Sequence, residues 1–256
     1  MSERQPLPDM DVEPTFDSFV ESFGGELVRA ALPSNTNLPL NADYFFRSRT
    51  IVAELKCLEK DYLRKEQIGK KVEAMFYKWA KQGRLRPEHF VGNRVHINSL
   101  GEDCAMEVFK LYFKPIKRAV EKANRQIRVT KEYFGLPDAK GLLILANDGN
   151  YALTPEMSMS ILARLLPNHY SSIDSFIYFT PNMRLASNRY DRQANIWISG
   201  PSSRTSANAV DSDYMSEIEQ GWTRYIEHIT GETVTIFNEH DPDTIRDLRF
   251  VRSTSK

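Results

Sequence analysis

One short alternating segment constrains this chain more than any other. In Ile51–Lys56 apolar and polar positions alternate, which predicts a β-strand. Side chains in a strand have a period of two, so Glu54 and Lys56 project from the same face. Residues 42–46 are also strand-like, and a short polar break at 47–50 separates the two strands. The pattern therefore predicts a β-hairpin.

The centre of the hairpin sets its register. If the turn is centred between Ser48 and Arg49, paired residue numbers sum to 97. Asp43 then lies directly opposite Glu54, with the two Cβ atoms roughly 5 Å apart on one face. Two carboxylates and the amine of Lys56 would converge on one surface.

This combination of side chains suits the chemistry of a divalent cation. Two carboxylates close together repel each other, which raises at least one pKa unless a cation lies between them. Mg²⁺ binds oxygen ligands, commonly one or two carboxylates plus substrate phosphate. A lysine nearby can orient a water or stabilise charge on phosphorus. Metal-assisted hydrolysis of a phosphodiester is the chemistry implied; the alternative is an ordinary cross-strand charge pair on a surface strand.

Asp43 followed by Glu54-Leu55-Lys56 resembles the active site of the PD-(D/E)XK nucleases, the restriction-endonuclease-like superfamily. The resemblance implies an α/β fold, a mixed β-sheet core flanked by helices, with Mg²⁺ or Mn²⁺ as the cofactor. It implies Asp43, Glu54 and the Leu55 backbone carbonyl as metal ligands, and Lys56 as the catalytic lysine. Ala42 stands where the superfamily name has proline.

The resemblance also suggests residues outside the hairpin. A Glu on the preceding helix can complete the metal site, and Glu26 is the first candidate, with Glu21 second. Residues 116–134 carry apolar positions at helical spacing and correspond to the superfamily helix behind the site. This helix offers three candidates for phosphate or DNA contacts: Lys122, Arg125 and Gln126. A simple polar helix face is the alternative.

Other motifs in the sequence are weaker candidates for the functional site than the hairpin. Asp138-Ala139-Lys140 is also acid-x-Lys, but it precedes the apolar run 141–145 and reads as a turn. His89 and His96 flank an Asn/Arg segment, without the hairpin-helix pattern of a ββα-metal nuclease. The sequence has no Gly-rich phosphate loop, dinucleotide-binding turn or nucleophile elbow.

Charge is distributed unevenly although the formal net charge is +0. Residues 60–86 and 110–131 are rich in Lys and Arg, whereas residues 1–26 and 208–247 are acidic. A basic centre favours a nucleic-acid partner, and the resemblance implies DNA. Solvated helix faces, or basic helices that meet the chain's own acidic ends in a structural or interaction protein, are the alternatives.

Element patterns predict three regions. Residues 1–14 form a flexible leader, and 15–200 form the nuclease-like α/β core with a helical insertion at about 59–113 after the catalytic strand. Residues 201–256 form a linker and an acidic helical extension that packs on the core. Within the core, the first helix is predicted to begin at Thr15. A later helical stretch is predicted to break at Pro115, and the helix that starts near Pro155 is predicted to end before Pro167.

The leading hypothesis is a Mg²⁺-dependent endonuclease acting on DNA in a defence, restriction or repair setting. The alternative is a catalytically inactive nucleic-acid- or protein-binding module on the same fold. We expect no membrane association, because no apolar run reaches about 18 residues. Two cysteines without a CxxC spacing and no signal region favour the cytoplasm. A homodimer is expected if both strands are cut.

Overall fold

The computed structural model describes residues 10–33, 40–58, 66–91, 94–95, 100–151, 153–187, 190–203, 208–238, 245 and 248–251. Within these residues the α-helices are α1 (Val12–Ser22), α2 (Val28–Ala31), α3 (Glu66–Lys81), α4 (Glu102–Tyr133), α5 (Pro155–His169) and α6 (Ser212–Thr230). The strands are β1 (Glu26–Leu27), β2 (Tyr44–Phe46), β3 (Ile51–Leu58), β4 (Phe90–Val91), β5 (Arg94–Val95), β6 (Lys140–Asn147), β7 (Ser175–Phe179), β8 (Leu185–Ser187), β9 (Tyr190–Pro201), β10 (Ile236–Asn238) and β11 (Arg249–Phe250).

A mixed sheet organises the fold, which confirms the α/β prediction. In the described part of the chain the strand order is β1-β2-β3-β6-β7-β9-β8-β11, with β10 pairing β9. The central strands β3, β6 and β7 are parallel, while β2 pairs antiparallel with β3 and β9 antiparallel with β7. Strands β4 and β5 form a separate small ribbon.

Both faces of the sheet are covered, as the continuous apolar run in β6 predicts. Leu143 and Leu145 of β6 pack with Val52 on the side covered by α4 and α5, here called the α4 face. Leu142 and Ile144 pack on the other side with α1 and α6, here called the α1 face. Every residue from 142 to 146 is fully buried. The strand alternation of β3 therefore decides which of its side chains meets which helix layer.

Helix α4 is longer than the sequence predicts. It runs through Pro115 without interruption, so the predicted break there is wrong. Proline inside a helix costs about 3 kcal/mol, but both halves of α4 bury apolar side chains. Val108 packs in a small cluster with Trp79 of α3, and Ile116 packs on the sheet. Tertiary burial outweighs the local preference of proline.

Two other predicted helix boundaries are also wrong. Helix α1 begins at Val12 rather than at a Thr15 cap, because Val12 and Phe16 are both buried against the α1 face. Helix α5 passes Pro167 and ends at His169. The boundaries of the three predicted regions remain predictions, and residues 1–9 of the leader lie outside the described residues.

Candidate active site

The β2–β3 hairpin has the predicted register. Tyr44 pairs with Ala53, and Phe46 pairs with Ile51, so paired numbers sum to 97 as predicted. Beyond the last ladder pair the Asp43 backbone N–H donates to the Ala53 carbonyl at 3.1 Å, one residue out of the register that would pair Asp43 with Glu54. The side chains of Asp43 and Glu54 are nevertheless close enough to interact.

Strand alternation places Glu54 and Lys56 on the α4 face. Val52 and Leu58 of β3 belong to the apolar cluster under α4, and Ala53 belongs to the opposite cluster. Glu54 and Lys56 share the parity of Val52 and so lie on the α4 face. A carboxylate in the middle of a central strand is thus enclosed by apolar neighbours.

Burial dominates the electrostatics of Glu54. Its side chain is fully buried. Loss of hydration and, to a smaller extent, the charge of the neighbouring Asp43 raise the pKa of Glu54 to about 8, although Lys56 opposes the shift. Lys56 Nζ donates to Glu54 Oε1. Glu54 Oε2 has no hydrogen-bond donor within the described residues, and Asp43 could donate to it only if Asp43 itself holds a proton.

Asp43 is the second carboxylate and is half-buried. Burial raises its pKa, although the Leu55 backbone N–H, which donates to Asp43 Oδ2 at 2.9 Å, opposes that shift. The charge of Glu13, at the start of α1, raises the pKa of Asp43 as well. The two carboxyls therefore favour a shared proton or a cation between them.

Lys56 bridges two oxygens of the site. Besides Glu54 Oε1, its ammonium donates to the Leu55 carbonyl oxygen at 3.3 Å. Its side chain is 16% exposed. The amine thus occupies the space next to two of the three groups that the resemblance implies as metal ligands.

The oxygens present fit a hard divalent cation. Asp43, Glu54 and the Leu55 carbonyl form a set of oxygen donors, and Glu54 Oε2 is buried without a donor. Mg²⁺ typically takes one or two carboxylates and completes its shell with water and phosphate. Within the described ranges, no three or more His, Cys, Asp and Glu side chains are grouped closely enough to hold a metal ion. The set accordingly has two carboxylates rather than three.

Glu26 does not join this set. It opens β1 instead of lying on a helix, and its carboxylate accepts hydrogen bonds from Arg49 at 2.6 and 2.8 Å. Arg49 belongs to the hairpin turn, at the opposite end of the ladder from Glu54. The structure therefore does not bring Glu26 to Asp43, and Glu21 is an exposed residue of α1.

Glu13 was missed by the sequence reasoning. Its charge acts on both Asp43 and Cys57, so this acid of the preceding helix lies within electrostatic reach of the site. The missed signal was the helix start: a helix begun at Thr15 excludes Glu13, whereas α1 begins at Val12.

Helix α4 forms hydrogen bonds with the chain just before Asp43. Gln126 Nε2 donates to the Asn41 carbonyl at 2.7 Å, and Thr130 Oγ1 accepts from the Ala42 N–H at 2.7 Å. Gln126 is buried, and its Oε1 has no partner within the described residues. Of the predicted phosphate contacts, Lys122 and Arg125 are exposed on α4. Gln126 contacts the segment Asn41–Asp43, which is here called the site entrance. Thr130 carried no sequence signal.

The competing motifs lie elsewhere. Asp138 is in the turn before β6, and Lys140 opens that strand and donates to the Ala209 carbonyl at 2.8 Å. His89 ends a short 3₁₀ helix, where its Nδ1 accepts from the Arg86 N–H. His96 lies outside the described residues.

Comparisons of the chain with protein-family models, with curated proteins and with solved structures find no match. Among the helices that the structure describes, none combines the length and apolar character needed to cross a bilayer.

Proposed function

We propose that the protein is a Mg²⁺- or Mn²⁺-dependent endonuclease that hydrolyses phosphodiester bonds in DNA. One observation supports this above all: the half-buried Asp43 carboxylate lies beside the fully buried Glu54 carboxylate, with an amine from Lys56 on the same strand face as Glu54. The free thiols Cys57 and Cys104 fit a cytoplasmic setting. A homodimer remains the expectation if both strands are cut.

Each residue has a distinct role in the proposed reaction. Asp43 and Glu54 would hold the cation together with the Leu55 carbonyl, and their like charges supply its binding energy. When bound, the cation supplies Lewis acidity to the phosphodiester and lowers the pKa of water. Lys56 would orient the attacking water and stabilise negative charge that grows on phosphorus.

The carboxylates also explain why the site needs its cation. A fully buried and a half-buried acid, both with raised pKa values, are poor anions on their own. A divalent charge next to them favours ionisation of both and releases the proton that they would otherwise share. We therefore expect cation binding to release protons near neutral pH.

A cleavage assay tests the proposal. Supercoiled plasmid and single-stranded DNA are incubated with Mg²⁺ or Mn²⁺ and with wild type, Glu54→Gln, Asp43→Asn or Lys56→Met. We expect each variant to lose at least about 100-fold in rate. Asp138→Asn, an exposed acid of the second acid-x-Lys triplet, is the matched control and should cut like wild type. Equal cutting by all five proteins would reject the assignment.

A catalytically inactive DNA-binding module on the same fold is the second candidate. The complete burial of Glu54 favours it, because a cation must reach a carboxylate that has no exposed surface. In that case wild type would bind DNA equally well with chelator or Mg²⁺ and would cut neither substrate.

A further inference from the structure

The exposed side of α4 carries a row of basic residues that points toward the acid pair. Lys114, Arg118 and Lys122 are spaced four residues apart, and Arg125 lies beside the last of them. All four are exposed. We name these four residues the basic ridge. At 1.5 Å per residue the ridge is about 16 Å long.

The same four-residue row continues into the site entrance. After Lys122 come Gln126 and Thr130, which hold the Asn41 carbonyl and the Ala42 N–H. A row at four-residue spacing winds slowly around a helix, so its solvent-facing end and its buried end belong to one continuous stripe. The stripe thus begins with exposed cations and ends at the residues that directly precede Asp43.

The basic charges of the ridge are unpaired, unlike other cations of α4. Lys117 pairs with Glu121 at 3.6 Å, and Arg128 pairs with Glu132 at 3.9 Å. Within the described part of the chain, none of the four ridge residues forms an ion pair. Four exposed cations without acidic partners leave a local positive field along one side of α4.

The other flank of α4 is occupied by contacts with the protein itself. Asn124 Oδ1 accepts from the Ser172 N–H at 2.9 Å, and Lys131 lies 3.5 Å from Asp174. These contacts fasten that flank to the chain between α5 and β7. The ridge is therefore on the flank that borders the site entrance.

We infer that the basic ridge binds the phosphate backbone of a DNA strand and leads it to the entrance at Asn41–Asp43. This inference deepens the proposed function, on which it rests for the identity of the substrate. A polyanion is the partner that complements several unpaired cations in a row. Lys114 and Arg118 extend the predicted contacts at Lys122 and Arg125 away from the acid pair, so they serve binding without touching the reacting groups.

Salt-dependent binding tests the ridge. Fluorescence anisotropy of labelled duplex and single-stranded DNA is measured in metal-free buffer over a salt series. The test variant is Lys114→Gln with Arg118→Gln, and a second variant is Lys122→Gln with Arg125→Gln. The matched control is Lys117→Gln with Arg128→Gln, which removes the same charge from the same helix.

We expect each ridge variant to bind at least tenfold more weakly and the control to change less than twofold. Each phosphate contact contributes about 0.9 to the slope of log K against log salt in duplex and about 0.7 in single strands. Removal of two contacts should therefore lower the slope by roughly 1.4 to 1.8. The relative loss on the two substrates tells which form the ridge prefers.

The outcomes separate the ridge from the nuclease. Equal losses in the ridge variants and the control, or no DNA binding by wild type at low salt, would overturn the ridge. DNA cleavage that is unchanged in Lys114→Gln with Arg118→Gln would overturn the ridge and leave the nuclease. Ridge-dependent binding by a wild type that cuts nothing with Mg²⁺ or Mn²⁺ would support the ridge and remove the nuclease.

Discussion

The two ends of the β2–β3 hairpin each carry an ion pair, and the pairs differ in burial. At the turn, Arg49 and Glu26 are 38% and 40% exposed and form a bidentate contact. Within the ladder, Lys56 is 16% exposed and Glu54 is fully buried. The hairpin therefore carries two pairs of a cation and a carboxylate, one exposed and one buried.

Burial is the cause of the difference. The exposed pair keeps its hydration and contributes little beyond geometry, as surface pairs usually do. The buried pair has lost hydration, its carboxylate is next to a second acid, and one of its oxygens has no donor within the described residues. The turn pair therefore fixes the geometry of the hairpin turn, and the buried pair is suited to chemistry.

The largest expected difference between the two pairs is in the pH dependence of stability. The pKa of Glu54 is raised from 4.5 to about 8 in the folded protein. Its contribution to stability is complete below pH about 4.5 and is lost as pH rises through about 8. Each unit between the two pKa values corresponds to roughly 1.4 kcal/mol in the free energy of unfolding. Stability of the metal-free protein should therefore fall between pH 5 and 8.5.

Chemical denaturation at pH 5, 7 and 8.5 with chelator measures this decline. Glu54→Gln carries no charge at any of these values, so its stability should vary clearly less with pH than that of wild type. Glu26→Gln is the matched control and should retain the wild-type decline. A wild-type decline that Glu54→Gln leaves intact would show that Glu54 is not the buried acid responsible.

A smaller effect is expected on cation affinity. Lys56 donates to Glu54 Oε1 and to the Leu55 carbonyl, two oxygens that would also bind the cation. Its positive charge also repels a divalent ion. Lys56→Met should therefore bind Mn²⁺ at least about tenfold more tightly, or roughly 1.4 kcal/mol, in isothermal titration calorimetry, even though it cuts DNA more slowly.

Arg49→Met removes a cation from the exposed end of the same hairpin and is the matched control. It should leave Mn²⁺ affinity within about twofold of wild type, because the turn lies away from the oxygen set. Weaker Mn²⁺ binding by Lys56→Met would mean that the amine supports the cation rather than competing with it.

Much of this geometry could be read from the sequence because strand alternation is local. The spacing of Glu54 and Lys56 fixes their common face, and the turn position fixes the register of Tyr44–Phe46 against Ile51–Ala53, which brings Asp43 close to Glu54. The backbone conformation of the turn could not be read from its residues. Arg47 and Ser48 have φ of 45° and 52°, values that favour glycine. Arg47 is held there by stacking 4.0 Å from the centre of the Tyr214 ring, a contact from a distant helix.

Contacts between distant segments explain the remaining errors. Pro115 remains inside α4 because the helix is buried along both halves, which no local pattern reports. Glu26 was assigned to the site from its place before the hairpin, but it pairs with Arg49 of the hairpin turn, since β1 lies beside β2. Thr130 was missed because its partner, the Ala42 N–H, is separated from it by 88 residues.

The position of a bound cation is the most direct test of the central claim. Crystals of wild type grown near pH 8 with Mn²⁺ allow the ion to be located by its anomalous scattering. We expect one peak roughly 2.1 Å from oxygens of Asp43, Glu54 and the Leu55 carbonyl, with Lys56 moved off Glu54. A peak elsewhere on the protein, with the Glu54–Lys56 pair still closed, would contradict it.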